Sequence, residues 1–118
     1  MRVQDVVGRY GEALAAERLV AAGLQVLDTN WRCREGEIDL VARDGESLVV
    51  VEVKTRSGEG FGGAAAAVTA AKQRRLRRLA VRWLAEHPGC GWSAVRFDVV
   101  TVLRRPGRVE VQHLRGAF

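Results

Sequence analysis

Acidic residues set inside strand-forming runs are the feature that most restricts this chain. Positions 36 to 41 read Gly36-Glu37-Ile38-Asp39-Leu40-Val41, and positions 51 to 55 read Val51-Glu52-Val53-Lys54-Thr55. Three acids and a lysine therefore interrupt segments that are otherwise apolar. Between the two runs stands Arg43-Asp44-Gly45-Glu46, and Asp-Gly between apolar runs is the strongest short-range sign of a β-hairpin. Strands are expected over residues 37–42 and 47–54. The unbroken Leu48-Val49-Val50-Val51 run predicts a strand covered on both faces, as in the middle of a sheet. Burying a charge in such a strand is costly unless the charge is paired or metal-bound.

Strand geometry supplies a reason for these residues. Side chains alternate faces along a strand, so Glu52 and Lys54 project the same way. With Asp44-Gly45 as a two-residue turn, Arg43 faces Glu46 and Glu37 faces Glu52. Asp39 then lies opposite Val50 and diagonal to Glu52, and Glu37, Asp39, Glu52 and Lys54 share one face. Diagonal neighbours stand roughly 7–8 Å apart, close enough for two carboxylates to share a cation. A one-residue slip would send Asp39 to the other face. Hard carboxylate oxygens suit Mg²⁺ or Mn²⁺ rather than zinc. Lys54 would stand beside a metal-activated water or a phosphate, orienting the nucleophile or neutralising developing charge. A solvated Glu/Lys ladder explains any one of these residues; the shared parity favours a metal site for the set.

The remaining elements follow from periodicity and punctuation. Residues 6–22 are rich in helix formers and are followed by Gly23. Residues 24–27 read as a short strand, and residues 28–36, polar and basic, as a loop or frayed strand end. Residues 57–63 form a glycine-rich loop, either a lid or a plain connector. A second helix begins near residue 66 or 69 and runs to 86. Leu76, Leu79, Ala80, Trp83 and Leu84 make its apolar stripe. Strands over 95–103 and 109–114 flank a turn at Arg105-Pro106-Gly107. This order predicts one α/β domain over residues 1–118, a mixed sheet flanked by two helices.

Charge sets the class of partner. The 118 residues carry a formal net charge of +5 and a pI of about 10.2, which points to a polyanion, nucleic acid above all. No apolar run reaches the ~18 residues of a membrane span, and the first residues lack a signal-peptide pattern, so the cytoplasm is expected. Cys33 and Cys90 have no zinc spacing and read as free thiols. His87 and His113 are isolated and receive no role. Lys72, Arg74, Arg75, Arg77, Arg78 and Arg82 lie off the apolar stripe of the second helix, either as phosphate contacts or as a solvated face. Trp83 belongs to the core. Trp31, flanked by Arg32 and Arg34, is the better base-stacking candidate. Asp98, inside an apolar strand, reads as a buried hydrogen-bonding residue.

The residues around Asp39 and Glu52-Val53-Lys54 resemble the core of the PD-(D/E)xK nucleases, a superfamily that includes restriction endonucleases and archaeal Holliday junction resolvases. The chain is similar, over nearly its full length, to the YraN-like family of bacterial proteins. The likeness runs from Gly8-Arg9-Tyr10-Gly11-Glu12 through Asn30-Trp31-Arg32, Gly36-Glu37-Ile38-Asp39, Val51 to Arg56, Phe61-Gly62 and Lys72-Gln73 to Arg96-Phe97-Asp98-Val99-Val100. It implies a restriction endonuclease-like three-layer fold, a central mixed sheet flanked by helices. It implies Asp39, Glu52 and Lys54 as catalytic residues, and Glu12, Asp39 and Glu52 as ligands of Mg²⁺ or Mn²⁺. Alone, Glu12 would be a solvated helix residue; the resemblance makes it a ligand. Glu37 stays open between metal binding and capture by nearby arginines. Contacts to nucleic acid are expected at Trp31, Arg32, Lys72, Gln73 and Arg75. Ile38 stands where the motif's name has proline. The implied function is a magnesium-dependent endonuclease hydrolysing phosphodiester bonds in DNA, branched or structured DNA included, with no membrane role. A homodimer suits that role, because two sites then reach two strands. A non-catalytic nucleic-acid-binding module and an adaptor of a DNA-processing assembly are the alternatives.

Overall fold

In the computed structural model, residues 3–57, 68–89 and 91–118 are described. Helix α1 spans Val3–Ala21 and strand β1 Gln25–Cys33. Strands β2 and β3 span Gly36–Asp44 and Ser47–Ser57. Helix α2 covers Ala70–Glu86, and β4 (Ala94–Arg105) and β5 (Arg108–Leu114) complete the chain. Helix α1 stops where Gly23 adopts φ 93°. The Leu24 N–H then reaches back to the Leu19 carbonyl at 2.9 Å and the Gly23 N–H to Val20 at 3.0 Å, a Schellman closure. Helix α2 starts on Thr69, whose hydroxyl accepts from the Lys72 N–H at 3.1 Å.

The five strands form one sheet in the order β1-β2-β3-β4-β5. Neighbours are antiparallel except β3 and β4, which are parallel and joined through α2. Two apolar layers result. On one face Val41, Leu48, Val50, Phe97 and Val99 pack against Leu76, Leu79, Ala80 and Trp83 of α2. On the other, Leu40, Ala42, Val49, Val51, Val100 and Val102 pack against Ala15 and Leu19 of α1. The run Leu48 to Val51 is at most 1% exposed, so alternate side chains of β3 feed both layers, as its lack of a polar break predicts. The result is a three-layer α/β fold of the restriction endonuclease-like kind. Among the described residues, no helix is long and apolar enough to cross a membrane.

Two expectations change. The hairpin turn is Gly45-Glu46, not Asp44-Gly45: Asp44 pairs with Ser47 and Arg43 with Leu48. Gly45 takes φ 60°, while Asp44 stays in the strand and its carboxylate accepts from Arg96 at 2.8 Å. The slide is of two positions, so the paired residues Leu40 to Asp44 keep their predicted faces. Residues 28–33, expected as a loop or frayed end, are β1. Their polarity is offset by tertiary bonds, such as Trp83 Nε1 donating to Asp28 at 3.0 Å. Cys33 is a free thiol. Most of the expected glycine-rich loop, and Cys90, lie outside the described residues.

Gly11 fixes how closely α1 approaches β3. A Cβ at Gly11 would stand 1.9 Å from Thr55 Oγ1 and 3.2 Å from Thr55 Cβ. Gly11→Ala should therefore destabilise the fold by about 1–3 kcal/mol, read as a lowered melting temperature. Adding Thr55→Ala removes the hydroxyl contact and should recover most of that loss; a Gly11→Ala melting temperature equal to wild type would contradict the close approach.

Candidate functional site

The β2–β3 ladder ends just before the acids. Its paired residues run from Asp44↔Ser47 to Leu40↔Val51. Beyond that point the simple alternation of β2 breaks: Leu40 belongs to the α1 layer, whereas Ile38, two residues away, belongs to the α2 layer. At the break, Asp39 Oδ2 accepts a hydrogen bond from the Val53 N–H at 2.8 Å. A side chain thus serves a strand N–H where the backbone ladder has stopped. The acids meet through this parting of two strands, and the flat face expected from a continuous hairpin is not what assembles them.

Helix α1 brings Glu12 to the parted strands. Carboxylate oxygens of Glu12, Glu37 and Asp39 lie within 4.8 Å of one another. Two groups on β1 hold this cluster. The surroundings of Asn30 place its amide nitrogen toward the acids, donating to Glu12 Oε2 at 2.9 Å and Glu37 Oε1 at 3.0 Å. Arg32 Nε donates to Glu37 Oε2 at 2.8 Å. Asn30 reaches the acids from a left-handed backbone, φ 51°, a conformation asparagine tolerates better than most residues. Beside the cluster, Glu52 is 6% exposed and is ion-paired with Lys72, the third residue of α2. Lys54 Nζ stands 3.7 Å from Glu52. Glu12, Asp39, Glu52, Lys54 and Lys72 line one groove.

Crowding of like charge shows in the proton affinities. Burial, then the Glu52 carboxylate, pushes Asp39 up to about 7; the Val53 N–H opposes this, and Glu12 and Glu37 add to it. Glu12 is also raised, by burial and Glu37, against the bonds from Asn30 and Asp39 and the charge of Arg32. Lys54 is lowered by burial and by the neighbouring Lys72 charge, although Glu52 pulls the other way. Burial would lower Lys72 as well, but its contact with Glu52 holds it above the ordinary range. Converging oxygen donors with carboxyl groups raised by burial and by mutual repulsion fit a hard divalent cation, whose charge would relieve that repulsion.

The residues singled out from the sequence divide in position. Glu12, Asp39, Glu52, Lys54 and Lys72 share the groove, and Glu37 joins Glu12 and Asp39 in the tightest group of oxygens. Glu52 faces the two lysines. Trp31 is half-buried against the α2 layer, and Arg32 is engaged with Glu37. The Gln73 amide donates to the Val68 carbonyl at 3.0 Å. Arg75 is exposed and runs alongside Gly36. Along the rest of α2, Arg82 and Arg78 meet Glu35 at 3.0 and 3.9 Å, and Arg77 lies 4.9 Å over the Phe97 ring. Asn30 had no assigned role. Its signal was a short polar residue able to turn left-handed within the basic stretch before β2. His113 also gains a partner, the buried Asp98, at 2.7 Å.

The family described as Uncharacterised protein family UPF0102 matches residues 11–102, a span holding the whole acid cluster and both lysines. Full-length relatives agree. A UPF0102 protein of Frankia alni is 62% identical over 100% of this chain and 98% of its own length. One from Frankia casuarinae is 60% identical over 100% of both chains. Another, from Beutenbergia cavernae, is 59% identical over 98% of each.

Asp39 makes stability depend on pH in a stated direction. In the folded chain it keeps its proton to about pH 7, whereas its unperturbed value is 3.8. That proton's contribution is complete below about pH 4 and is lost as pH rises to about 7, at up to about 1.4 kcal/mol per pH unit. In chelating buffer the melting temperature of wild type should fall across that window relative to Asp39→Asn. Parallel curves for the two proteins would refute the raised carboxyl. Calorimetry should also show Mn²⁺ binding releasing protons below about pH 7.

Proposed function

The chain belongs to the UPF0102 (YraN) family, and we propose that it is a metal-dependent nuclease that hydrolyses phosphodiester bonds in DNA, using Mg²⁺ or Mn²⁺. The observation that carries this reading is the meeting of Glu12, Glu37 and Asp39 oxygens within 4.8 Å, in a groove shared with Glu52 and two lysines. Glu12, Glu37 and Asp39 would hold the cation, with Glu52 at its margin. A cation there would supply charge for a phosphate oxygen and acidify a water.

The chain's own groups account for the rest. The Val53 N–H fixes the rotamer of Asp39, and Asn30 fixes Glu12 and Glu37, so the oxygens are held in place before a substrate arrives. Lys54 directs an ammonium group into the same groove, where it orients a water or neutralises charge growing on the phosphate. Lys72 holds Glu52 and adds a second positive charge. The excess of cations over the whole chain supports a polyanionic substrate. Branched or structured DNA, a homodimer that reaches two strands, and a cytoplasmic setting belong to the same proposal.

One observation favours a second reading, a non-catalytic nucleic-acid-binding module or adaptor. Glu52 is compensated by Lys72 and Lys54 within the chain itself. Cleavage decides between them. Linear and branched DNA should be cut in Mg²⁺ or Mn²⁺, with Asp39→Ala and Lys54→Ala each reducing the rate by about 10²-fold or more. Salt-sensitive DNA binding with no cleavage in either metal would replace the nuclease by the binding module. Mn²⁺ calorimetry unchanged by Asp39→Ala would remove the metal site.

A further inference from the structure

A second groove opens directly beside the acids. It has a volume of roughly 690 Å³ and lies between the first turns of α1 and the β4–β5 hairpin. Val6, Tyr10 and Val109 form its apolar lining, and they are 52%, 44% and 38% exposed. Arg104, Arg105 and Arg108 stand along its rim. Glu110 meets Arg105 at 3.4 Å and Arg108 at 3.0 Å, so two of the arginines share one acid and the groove stays positive. Arg104 has no carboxylate partner among the described residues; its guanidinium lies 5.9 Å from the Tyr10 ring centre. The two grooves are continuous, since Val7, Ser57 and Arg104 line both.

We infer that this groove takes single-stranded nucleic acid adjoining the phosphodiester at the acid cluster. A base would stack on Tyr10, with a phosphate at Arg104. The inference rests on the nuclease reading in one respect: it places the scissile phosphate in the neighbouring groove. An exposed aromatic ring with arginines along one rim is the chemistry that binds unpaired bases through their faces and a backbone through its charge. Within a duplex the base faces are stacked on one another and are not free to meet Tyr10. The basic residues of α2 are the competing surface: Arg77, Arg78 and Arg82 already have partners within the chain, while exposed Arg74 and Arg75 remain, and binding through them would not depend on Tyr10. Tyr10 and Arg104 are both exposed and lie beside each other in the groove.

The test is binding without turnover. Fluorescence anisotropy of a labelled oligothymidylate, in Ca²⁺ or chelator, is compared for wild type, Tyr10→Ala, Tyr10→Phe and Arg104→Ala. Tyr10→Ala should weaken binding about tenfold with an unchanged salt slope, and Tyr10→Phe should bind as wild type. Arg104→Ala should weaken binding and reduce the slope of log affinity against log salt by about 0.7. Blunt duplex binding should be unaffected by Tyr10→Ala. Unaltered affinity in Tyr10→Ala, equal loss on duplex, or no oligothymidylate binding by wild type would each overturn the groove. Tyr10 is a surface residue, and matching melting temperatures show that the variants fold. The two readings fail separately. Cleavage that survives with a Tyr10-independent single-strand affinity removes the groove alone, and Tyr10-dependent binding with no cleavage in any metal removes the nuclease alone.

Discussion

Where β2 and β3 part, a single hydrogen bond carries unusual weight. The Val53 N–H, at the end of a ladder that has lost its backbone partner, is taken by the Asp39 carboxylate at 2.8 Å. That bond satisfies a strand donor and at the same time holds a charged group away from bulk water. The parting makes room for Glu12 from α1, and Gly11, the residue before it, lets the helix come close enough to reach. Glu52 and Lys54 follow from the other strand because β3 stays tied to β4 along its whole length. The candidate site is therefore a consequence of how one hairpin ends, with the helices supplying the remaining groups.

Two partly or fully buried aspartates show how differently one side chain can be treated in the same sheet. Around Asp98, burial alone would raise the carboxyl, yet Arg96, the Gly116 N–H and His113 hold it below its ordinary range. Every lone pair there faces a donor, and the group ties β4 to β5 and to the C-terminal turn. Around Asp39 burial is reinforced by neighbouring carboxylates, and the proton affinity goes up. Asp98 is electrostatically complete within the chain. Asp39 is complete only with added positive charge, which is why perturbed acids of this kind mark functional positions more often than structural ones.

Much of this was legible in the sequence, for identifiable reasons. The apolar run Leu48 to Val51 announced a strand covered twice, and the stripe from Leu76 to Leu84 announced α2. The shared face of Glu52 and Lys54 follows from their spacing on one strand, whereas Asp39 reaches them through the break in β2. What escaped was tertiary. Asp44 looked like a turn residue because its partner, Arg96, lies on a distant strand. Residues 28–33 looked like a loop because their polar groups are matched by α2 and α1, which sequence periodicity does not see. Glu37 was ambiguous and Asn30 unassigned for the same reason: their meeting with Glu12 depends on the break in β2 at Asp39.

The parallel pairing of β3 with β4 has a metric consequence. Its register sets Lys54 beside Thr101 and Ser57 beside Arg104. Lys54 and Arg104 are thus held on one backbone lattice, three rungs apart, or about 10 Å along the strand direction. That interval is graduated by main-chain hydrogen bonds, so surface substitutions around it leave it unchanged. Three rungs is an odd count, so the two side chains leave the sheet on opposite faces, and what the lattice holds constant is the spacing of their backbones rather than of their charged ends.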